Sequence, residues 1–298
     1  MARTCDIIIS AGNNPYQLWQ AMLFHYSCWK HQGQIPLIVV HNGDEPLLEG
    51  FNRIAEVGGR VQPAPDYRDR DGLVYSPRNT PVALRRAETD AGFVMLCEPD
   101  MVFLRPIDFS SIDLTLLTIT LDRLTYLDAE REEYQPALDV VAEQSGIDAK
   151  VLRARPLNGG VPHILPTELK KEFSELWLGG IDRFVEYAKR NPGNRSNEPS
   201  IHWVSGMWST VLAIHRMELK PTFTDFCISN AEGDQLVQPL VESHPLIHYC
   251  YGDAGFNKRE YIDYDAALNR VWQVPSDDGT INGAIRGQLR EAREFYGL

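Results

Sequence analysis

Asp6-Ile7-Ile8-Ile9-Ser10-Ala11-Gly12-Asn13-Asn14-Pro15 is the stretch on which the fold turns. A short apolar β-branched run ends in a dense cluster of turn-forming residues, so it reads as a buried strand closed by a turn. The following residues, Tyr16 to Lys30, are apolar on nearly every side and predict a buried helix. Pro36 to Val40 reads as a second strand, closed by His41-Asn42-Gly43-Asp44. A short helix around Pro46 to Val57 and a strand near Val61 come next. This βαβαβ opening predicts an α/β protein with a mostly parallel central sheet and helices on both faces.

Further along, Asp66 to Pro81 is polar and turn-rich, with Arg68, Arg70 and Arg78. A helix is expected from about Pro81 to Asp90, then an apolar strand from Phe93 to Cys97 and a second apolar stretch from Met101 to Leu104. A charged helical region covers about Asp128 to Leu152. Leu169, Phe173, Leu176 and Trp177 share one helical face, and Ile181, Phe184, Val185 and Ala188 share another. Gly179-Gly180 is expected to break the helix between them. Asn191 to Asn197 reads as a polar loop, and Pro199 suits the first turn of a helix running to about Arg216. No internal repeat, low-complexity tract or linker is evident, so residues 1–298 are expected to form a single domain.

The composition narrows the functional classes. The chain has 298 residues, 43% hydrophobic and 23% charged, which excludes a disordered or collagen-like chain. Its 29 Lys and Arg against 41 Asp and Glu give a net charge of −12. Such a surface repels nucleic acid and anionic membranes. An anionic ligand needs a local cationic pocket, an electropositive helix end or a metal ion. Cys5, Cys28, Cys97, Cys227 and Cys250 form no CxxC pair and mostly sit in apolar runs. They read as buried thiols of a reducing compartment. No stretch approaches the roughly 20 apolar residues of a membrane span, and the start lacks a signal-peptide core, so a cytoplasmic protein is expected.

Three segments carry chemistry. In Phe93-Val-Met-Leu-Cys-Glu-Pro-Asp-Met-Val-Phe-Leu-Arg-Pro106, Glu98 and Asp100 stand at the end of an expected central strand. Ligands of open α/β sheets bind outside the carboxyl ends of strands, and a carboxylate there suits a hard divalent cation bridging phosphates. A turn acid capping a loop reads equally well. In His248-Tyr-Cys-Tyr-Gly-Asp-Ala-Gly-Phe-Asn-Lys258, an imidazole ends a strand, glycines permit close backbone approach and Lys258 supplies a cation. A His beside an Asp from elsewhere suits an ion such as Mn²⁺; alone it reads as a structural histidine. Asn158-Gly159-Gly160-Val161 is either backbone packed against a ligand or an ordinary loop.

Together these pieces resemble the hydroxyproline O-arabinosyltransferase and peptidyl-serine α-galactosyltransferase group of GT-A glycosyltransferases. The matching residues are Tyr16-Gln-Leu-Trp-Gln20, Arg78-Asn79-Thr80-Pro81, Leu96-Cys-Glu-Pro-Asp100 with Arg105-Pro106, Trp203-Val204 with Met207, and His248-Tyr249-Cys250-Tyr251-Gly252. They run in the family's order from about residue 6 to 260. Glu-Pro-Asp and His-Tyr-x-Tyr-Gly are also similar to the Asp-x-Asp and His-x-x-Gly-x-x-Lys metal-binding elements of glycogenin-like transferases, with Lys258 spaced further away. The chain departs from the group in having Ser205-Gly206 where the pattern has a glutamate before its Met, and Glu198 is the nearby carboxylate.

The resemblance implies a GT-A-like (Rossmann-like) fold with a nucleotide-binding half at 1–110, an acceptor-side half at 111–265 carrying the metal-binding His, and a C-terminal tail at 266–298. It implies a metal-dependent glycosyltransferase that moves a sugar from a UDP-sugar to a hydroxyl of a peptide, metabolite or glycan, with retention. A nucleotidyltransferase acting on sugar phosphates and a non-catalytic nucleotide-sugar-binding module are the alternatives. Asp100, His248 and Glu98 are the implied ligands of Mn²⁺, or of Mg²⁺. Asp100, Glu98 and Glu198 are the implied catalytic carboxylates. Ser10, Ala11, Asn13, Arg78, Asn79, Asn158, Gly159, Gly252 and Lys258 are implied to hold the nucleotide sugar. Asp100→Ala is expected to remove a ligand and not a packing group, sparing the fold. Acceptor contacts are expected from Thr118 to Tyr126 and from the helix after Glu198. Trp203, Trp208 and Tyr126 read more readily as core than as sugar platforms.

Overall fold

The computed structural model describes residues 4–70, 72–113, 117–120, 132, 134–154, 160–191, 201–250, 256–275 and 278–298. The opening is the alternation that the sequence predicts: β1 (Cys5–Gly12), α1 (Pro15–Ser27), β2 (Leu37–His41), α2 (Glu49–Glu56) and β3 (Arg60–Ala64). Asn14 caps α1 by accepting from the Gln17 amide, and Pro15 sits in its first turn, where a missing amide proton costs nothing. The helix widens into a π-helical turn over Cys28–Gln32 and stops at Gly33, whose φ of +69° is the left-handed conformation that glycine adopts freely.

A hairpin of β4 (Asp69–Arg70) and β5 (Leu73–Val74) occupies the polar stretch, followed by α3 (Asn79–Arg86), β6 (Phe93–Cys97), β7 (Met101–Phe103) and β8 (Thr118–Thr120). Next come α4 (Gln135–Gln144), α5 (Ala149–Ala154), β9 (Gly160–Pro166), α6 (Lys170–Arg190) and α7 (Ile201–Arg216). The chain closes with β10 (Thr222–Thr224), β11 (Cys227–Ser229), α8 (Gln238–Val241), β12 (Leu246–His248), α9 (Tyr264–Leu268) and α10 (Ile281–Tyr296).

The central sheet has the order β10-β8-β9-β6-β1-β2-β3. Among the described residues, β9 alone runs against the other six strands. The chain goes from β1 outward through β2 and β3, then crosses back to pair β6 on the other side of β1. That reversal is the topological switch point, where open α/β sheets place their ligands. Ile7, Ile9 and Ala11 of β1 join the core shared with α1 and α10, whereas Ile8 joins the core under α3, α6 and α7. The continuous apolar run of β1 thus serves two buried faces.

One expectation is corrected. Gly179-Gly180 does not break the helix: α6 runs through both as one element. A Cβ on Gly180 would stand 2.8 Å from the Ser209 Cβ, so this glycine lets α6 and α7 pack closely. Within residues 266–298, α10 packs into the body of the fold. Ile281, Ile285, Leu289, Ala292 and Tyr296 of α10 are buried in the core with α1. Among the described residues no helix is long and apolar enough to cross a membrane, and all five cysteines are free thiols.

Candidate functional site

Glu98-Pro99-Asp100 leaves the carboxyl end of β6, beside the switch point, and turns at once into β7. β7 abandons the central sheet and pairs antiparallel with β12 in a small sheet of order β11-β12-β7. In that register His248 faces Met101. The Tyr249 amide donates to the Asp100 carbonyl at 3.0 Å, and the Tyr249 hydroxyl donates to the Pro99 carbonyl at 3.3 Å. Backbone pairing therefore brings an imidazole from residue 248 onto a turn at residues 98–100. Arg105 holds the far end of the unit by donating to the Val241 carbonyl at 2.6 Å and to the Glu242 carbonyl, which ties β7 to the end of α8.

The resulting cluster is compact. Ligand atoms of Glu98, Asp100 and His248 all lie within 4.8 Å of one another. His248 Nε2 stands 3.1 Å from Glu98 Oε2 and 3.6 Å from Asp100 Oδ1. Lys258 Nζ reaches Asp100 Oδ2 and forms an ion pair with it. Trp19 and Tyr249 stack at a centroid distance of 6.0 Å, Phe256 packs edge-on against both, and the Trp19 indole N–H donates to the Tyr261 carbonyl at 3.3 Å. This aromatic floor links α1, the end of β12 and the segment carrying Lys258. It also accounts for the Trp in the Tyr16-Gln-Leu-Trp-Gln20 piece.

The electrostatics follow from burial and pairing. Asp100 is 5% exposed, and burial alone would raise its pKa. The charges of Lys258 and His248 reverse that and hold it well below the usual carboxylate range. For His248, burial favours the neutral ring, but the Asp100 carboxylate outweighs it and raises the pKa well above 6.5. Lys258 is likewise pushed above its usual value by Asp100 against the pull of burial. An imidazolium and an ammonium thus balance two carboxylates, occupying the electrostatic place of one divalent cation. His248 Nε2 is buried and, near as both carboxylates are, makes no hydrogen bond of proper geometry. An imidazole nitrogen facing two carboxylates is a donor set that fits a hard or borderline divalent ion.

No family model matches the sequence, and no curated protein matches it. Solved structures do. An active-site mutant of LgtC superposes with a TM-score of 0.51 at 11% identity, covering 97% of this chain and 95% of that one. The fold is that of a GT-A glycosyltransferase. Similar too are the galactosyltransferase LgtC in complex with donor and acceptor sugar analogs (TM-score 0.49, 11% identity, 98% and 95% covered) and the apo bifunctional glycosyltransferase WbbM (0.49, 10%, 99% and 52%). At such identities the likeness concerns the fold alone, and the first of the three overlays carries it.

Ser10 and Ala11 lie near the carboxyl end of β1. The Asn13 side chain is engaged inside the chain: it donates to the Pro46 carbonyl at 2.8 Å and accepts from the Leu48 amide at 2.9 Å. Asn79 accepts from the Tyr67 amide and donates to Asp66. Arg78 is buried, pairs with Asp182 of α6 at 3.0 Å and donates to the Leu73 carbonyl at 2.6 Å. Arg78 and Asn79 therefore hold the 66–74 loop against the body. Ala11 is buried on the α1 side. Trp208 is 2% exposed and belongs to the core, as its sequence context favours. Gly206 receives the Tyr75 hydroxyl as acceptor for its amide at 2.9 Å, and a Cβ there would stand 3.1 Å from that oxygen. Asn158, Gly159, Glu198, Tyr251 and Gly252 lie outside the described residues, as do Tyr126 and most of the expected acceptor stretch; of Trp203 the side chain is not described. The sequence reading names Tyr249 within the His-Tyr-x-Tyr-Gly piece and His41 in a turn but gives neither a role: Tyr249 ties the two halves of the cluster, and His41 is distinguished only by its contacts with Ser10 and Pro65.

Proposed function

We propose that the protein is a metal-dependent glycosyltransferase that moves a sugar from a UDP-sugar to a hydroxyl acceptor with retention. The reading rests above all on the Glu98, Asp100 and His248 group at the switch point of a GT-A fold, with Lys258 beside it. Asp100 and His248, with Glu98 directly or through water, would hold Mn²⁺ or Mg²⁺. Such an ion, once bound, supplies Lewis-acid neutralisation of the diphosphate leaving group.

This chain's own groups do the rest. Lys258, which pairs with Asp100 at the edge of the cluster, would offer its ammonium as a point charge to the diphosphate oxygens. Ser10 meets the nucleoside at the end of β1, with the wholly buried Ala11 behind it, while Asn13, Arg78 and Asn79 shape the loops that border it. Asn158, Gly159 and Gly252 are proposed around the donor sugar and diphosphate from the resemblance alone, and Glu198 on the acceptor side. Retention follows the same likeness, with the leaving phosphate accepting the acceptor's proton. A soluble cytoplasmic setting is the compartment we propose.

The test is UDP release from a panel of UDP-sugars, with a peptide, small-metabolite or glycan hydroxyl as acceptor, in Mn²⁺, Mg²⁺ and EDTA. Metal-dependent release of UDP with glycoside formation supports the reading. Pyrophosphate exchange with sugar phosphates would instead identify a nucleotidyltransferase. Tight nucleotide-sugar binding without turnover for any pair would identify a binding module.

A further inference from the structure

Away from the Glu98, Asp100 and His248 cluster, a pocket of about 340 Å³ opens where the end of α4 meets α6 and α7. Arg183 of α6 and Arg216 of α7 line it, over Leu176, Leu212 and Ala213, and the turn at Gln144 to Gly146 closes one side. None of these residues belongs to the cluster. Leu212 and Ala213 lie in the core under α6 and α7, whereas Trp19, Met101, Tyr249 and Phe256 around the cluster lie in the core shared with α1 and α10.

Two guanidiniums and no carboxylate line this pocket. Among the described residues neither guanidinium forms an ion pair or a hydrogen bond. Each lies over backbone that carries no side chain. Arg183 Nη1 would stand 3.3 Å from a Cβ on Gly179, and Arg216 Nη1 3.6 Å from a Cβ on Gly146. Gly146 ends α4 with a φ of +70°. The carbonyls of that helix end are already satisfied: the Ile147 amide donates to Ala142 and the Gly146 amide to Glu143, both at 2.9 Å, and the Ser145 hydroxyl donates to Val141 at 2.7 Å. Arg216 is thus not required as a cap. The dipole of one helix end attracts one cation weakly and gives no reason for a second.

A guanidinium stays charged at any pH the protein meets, and its planar fork matches two oxygens of a phosphate. Two of them on one pocket repel each other, and an anion between them relieves both. In a chain of net charge −12 the pocket is a local positive spot. Its volume lies at the lower end of the roughly 300–1,000 Å³ of small-molecule sites, which leaves room beside a phosphate for an organic body. The apolar floor would meet that body, and the exposed Gln144 side chain on the rim carries an amide suited to hydroxyl groups.

We propose that this pocket binds a phosphate monoester carried on a small hydroxylated body, with Arg183 and Arg216 taking the phosphate and Gln144 the hydroxyls. The inference goes beyond the glycosyltransferase reading and does not depend on it.

The test is titration calorimetry with glucose 6-phosphate, inorganic phosphate and glucose as probes. EDTA keeps any metal at Asp100 from holding phosphate, and about 0.15 M salt, with a Debye length of about 8 Å, screens diffuse attraction. The proteins are the wild type, Arg183→Gln, Arg216→Gln and Arg183→Lys, each checked for folding by thermal melting. Expected for the wild type is saturable binding of glucose 6-phosphate, weaker binding of inorganic phosphate and none of glucose. Each glutamine variant weakens glucose 6-phosphate by about tenfold or more, the usual worth of a hydrogen bond to a charged group. Arg183→Lys keeps the charge but loses the fork, and weakens it too. A wild type that binds neither phosphate overturns the proposal with no variant needed. Affinities unchanged in both glutamine variants overturn it as well, since the phosphate then binds elsewhere, as at Lys258. Inorganic phosphate bound as tightly as glucose 6-phosphate overturns the assignment of an organic body.

Discussion

The amide of Tyr249 and the carbonyl of Asp100 meet in a 3.0 Å hydrogen bond. That bond is continuous with the antiparallel pairing of β7 and β12, where His248 faces Met101. Because the strands share a register, the carboxylates of a turn and an imidazole about 150 residues later are held together by backbone geometry. Neither side chain has to supply the convergence. The aromatic stack of Trp19, Tyr249 and Phe256 fixes the same ends from below.

Asp100→Asn is expected to reduce transfer by roughly a thousandfold, since charge stabilisation by a bound cation supplies several kcal/mol in such reactions. The same change is expected to cost stability as well. Asp100 is 5% exposed and faces both Lys258 and His248, so removing its charge leaves buried cations uncompensated, at a cost of about 3 kcal/mol in the metal-free protein. Denaturant unfolding in EDTA checks the second part; an unchanged midpoint would show that the pair contributes nothing.

Metal binding is expected to release close to one proton per ion at pH 7. The His248 pKa is held well above 6.5 in the metal-free cluster, so the ring is protonated there, whereas a ligand must be neutral. The sign follows: apparent affinity for Mn²⁺ rises with pH until the raised pKa is passed. Titration calorimetry in buffers of differing ionisation enthalpy reads the proton directly, and buffer-independent heats would contradict the assignment of His248.

His25 is buried, with Nδ1 2.6 Å from the Tyr296 hydroxyl, and burial depresses its pKa to about 4. An unfolded chain takes up this proton near pH 6.5. The neutral-histidine contribution is therefore whole above about pH 6.5 and is lost as pH falls towards 4, by about 3 kcal/mol in all. Urea unfolding at pH 7 and pH 4.5 should show the slope, and His25→Gln should flatten it.

The two glycines inside α6 should respond in opposite directions to alanine. At Gly180 a Cβ would lie 2.8 Å from Ser209 Cβ and 3.2 Å from Ser209 Cα, so Gly180→Ala should destabilise by about 1–3 kcal/mol. At Gly179 the nearest atom is the flexible end of Arg183, 3.3 Å away. Gly179→Ala should stabilise by up to about 1 kcal/mol through helix propensity alone. Thermal melting of the two variants decides, and a loss at Gly179 would refute the propensity argument.

What the amino-acid order determined by itself was local. The apolar run Ile7-Ile8-Ile9, the turn after it and the repeating strand–helix pattern specified a parallel α/β sheet, since period and turn chemistry act over a few residues. Glu98-Pro99-Asp100 at the end of an apolar strand and His248 after Leu246-Ile247 marked the ends of elements, and those ends became the cluster. Only the tertiary structure decided what faces what. It turned Arg78 and Asn79 inward to brace a loop, ran α6 through Gly179-Gly180 and gave His41 a serine partner. Contacts between residues tens to hundreds of positions apart depend on strand register and helix packing, which no local pattern encodes.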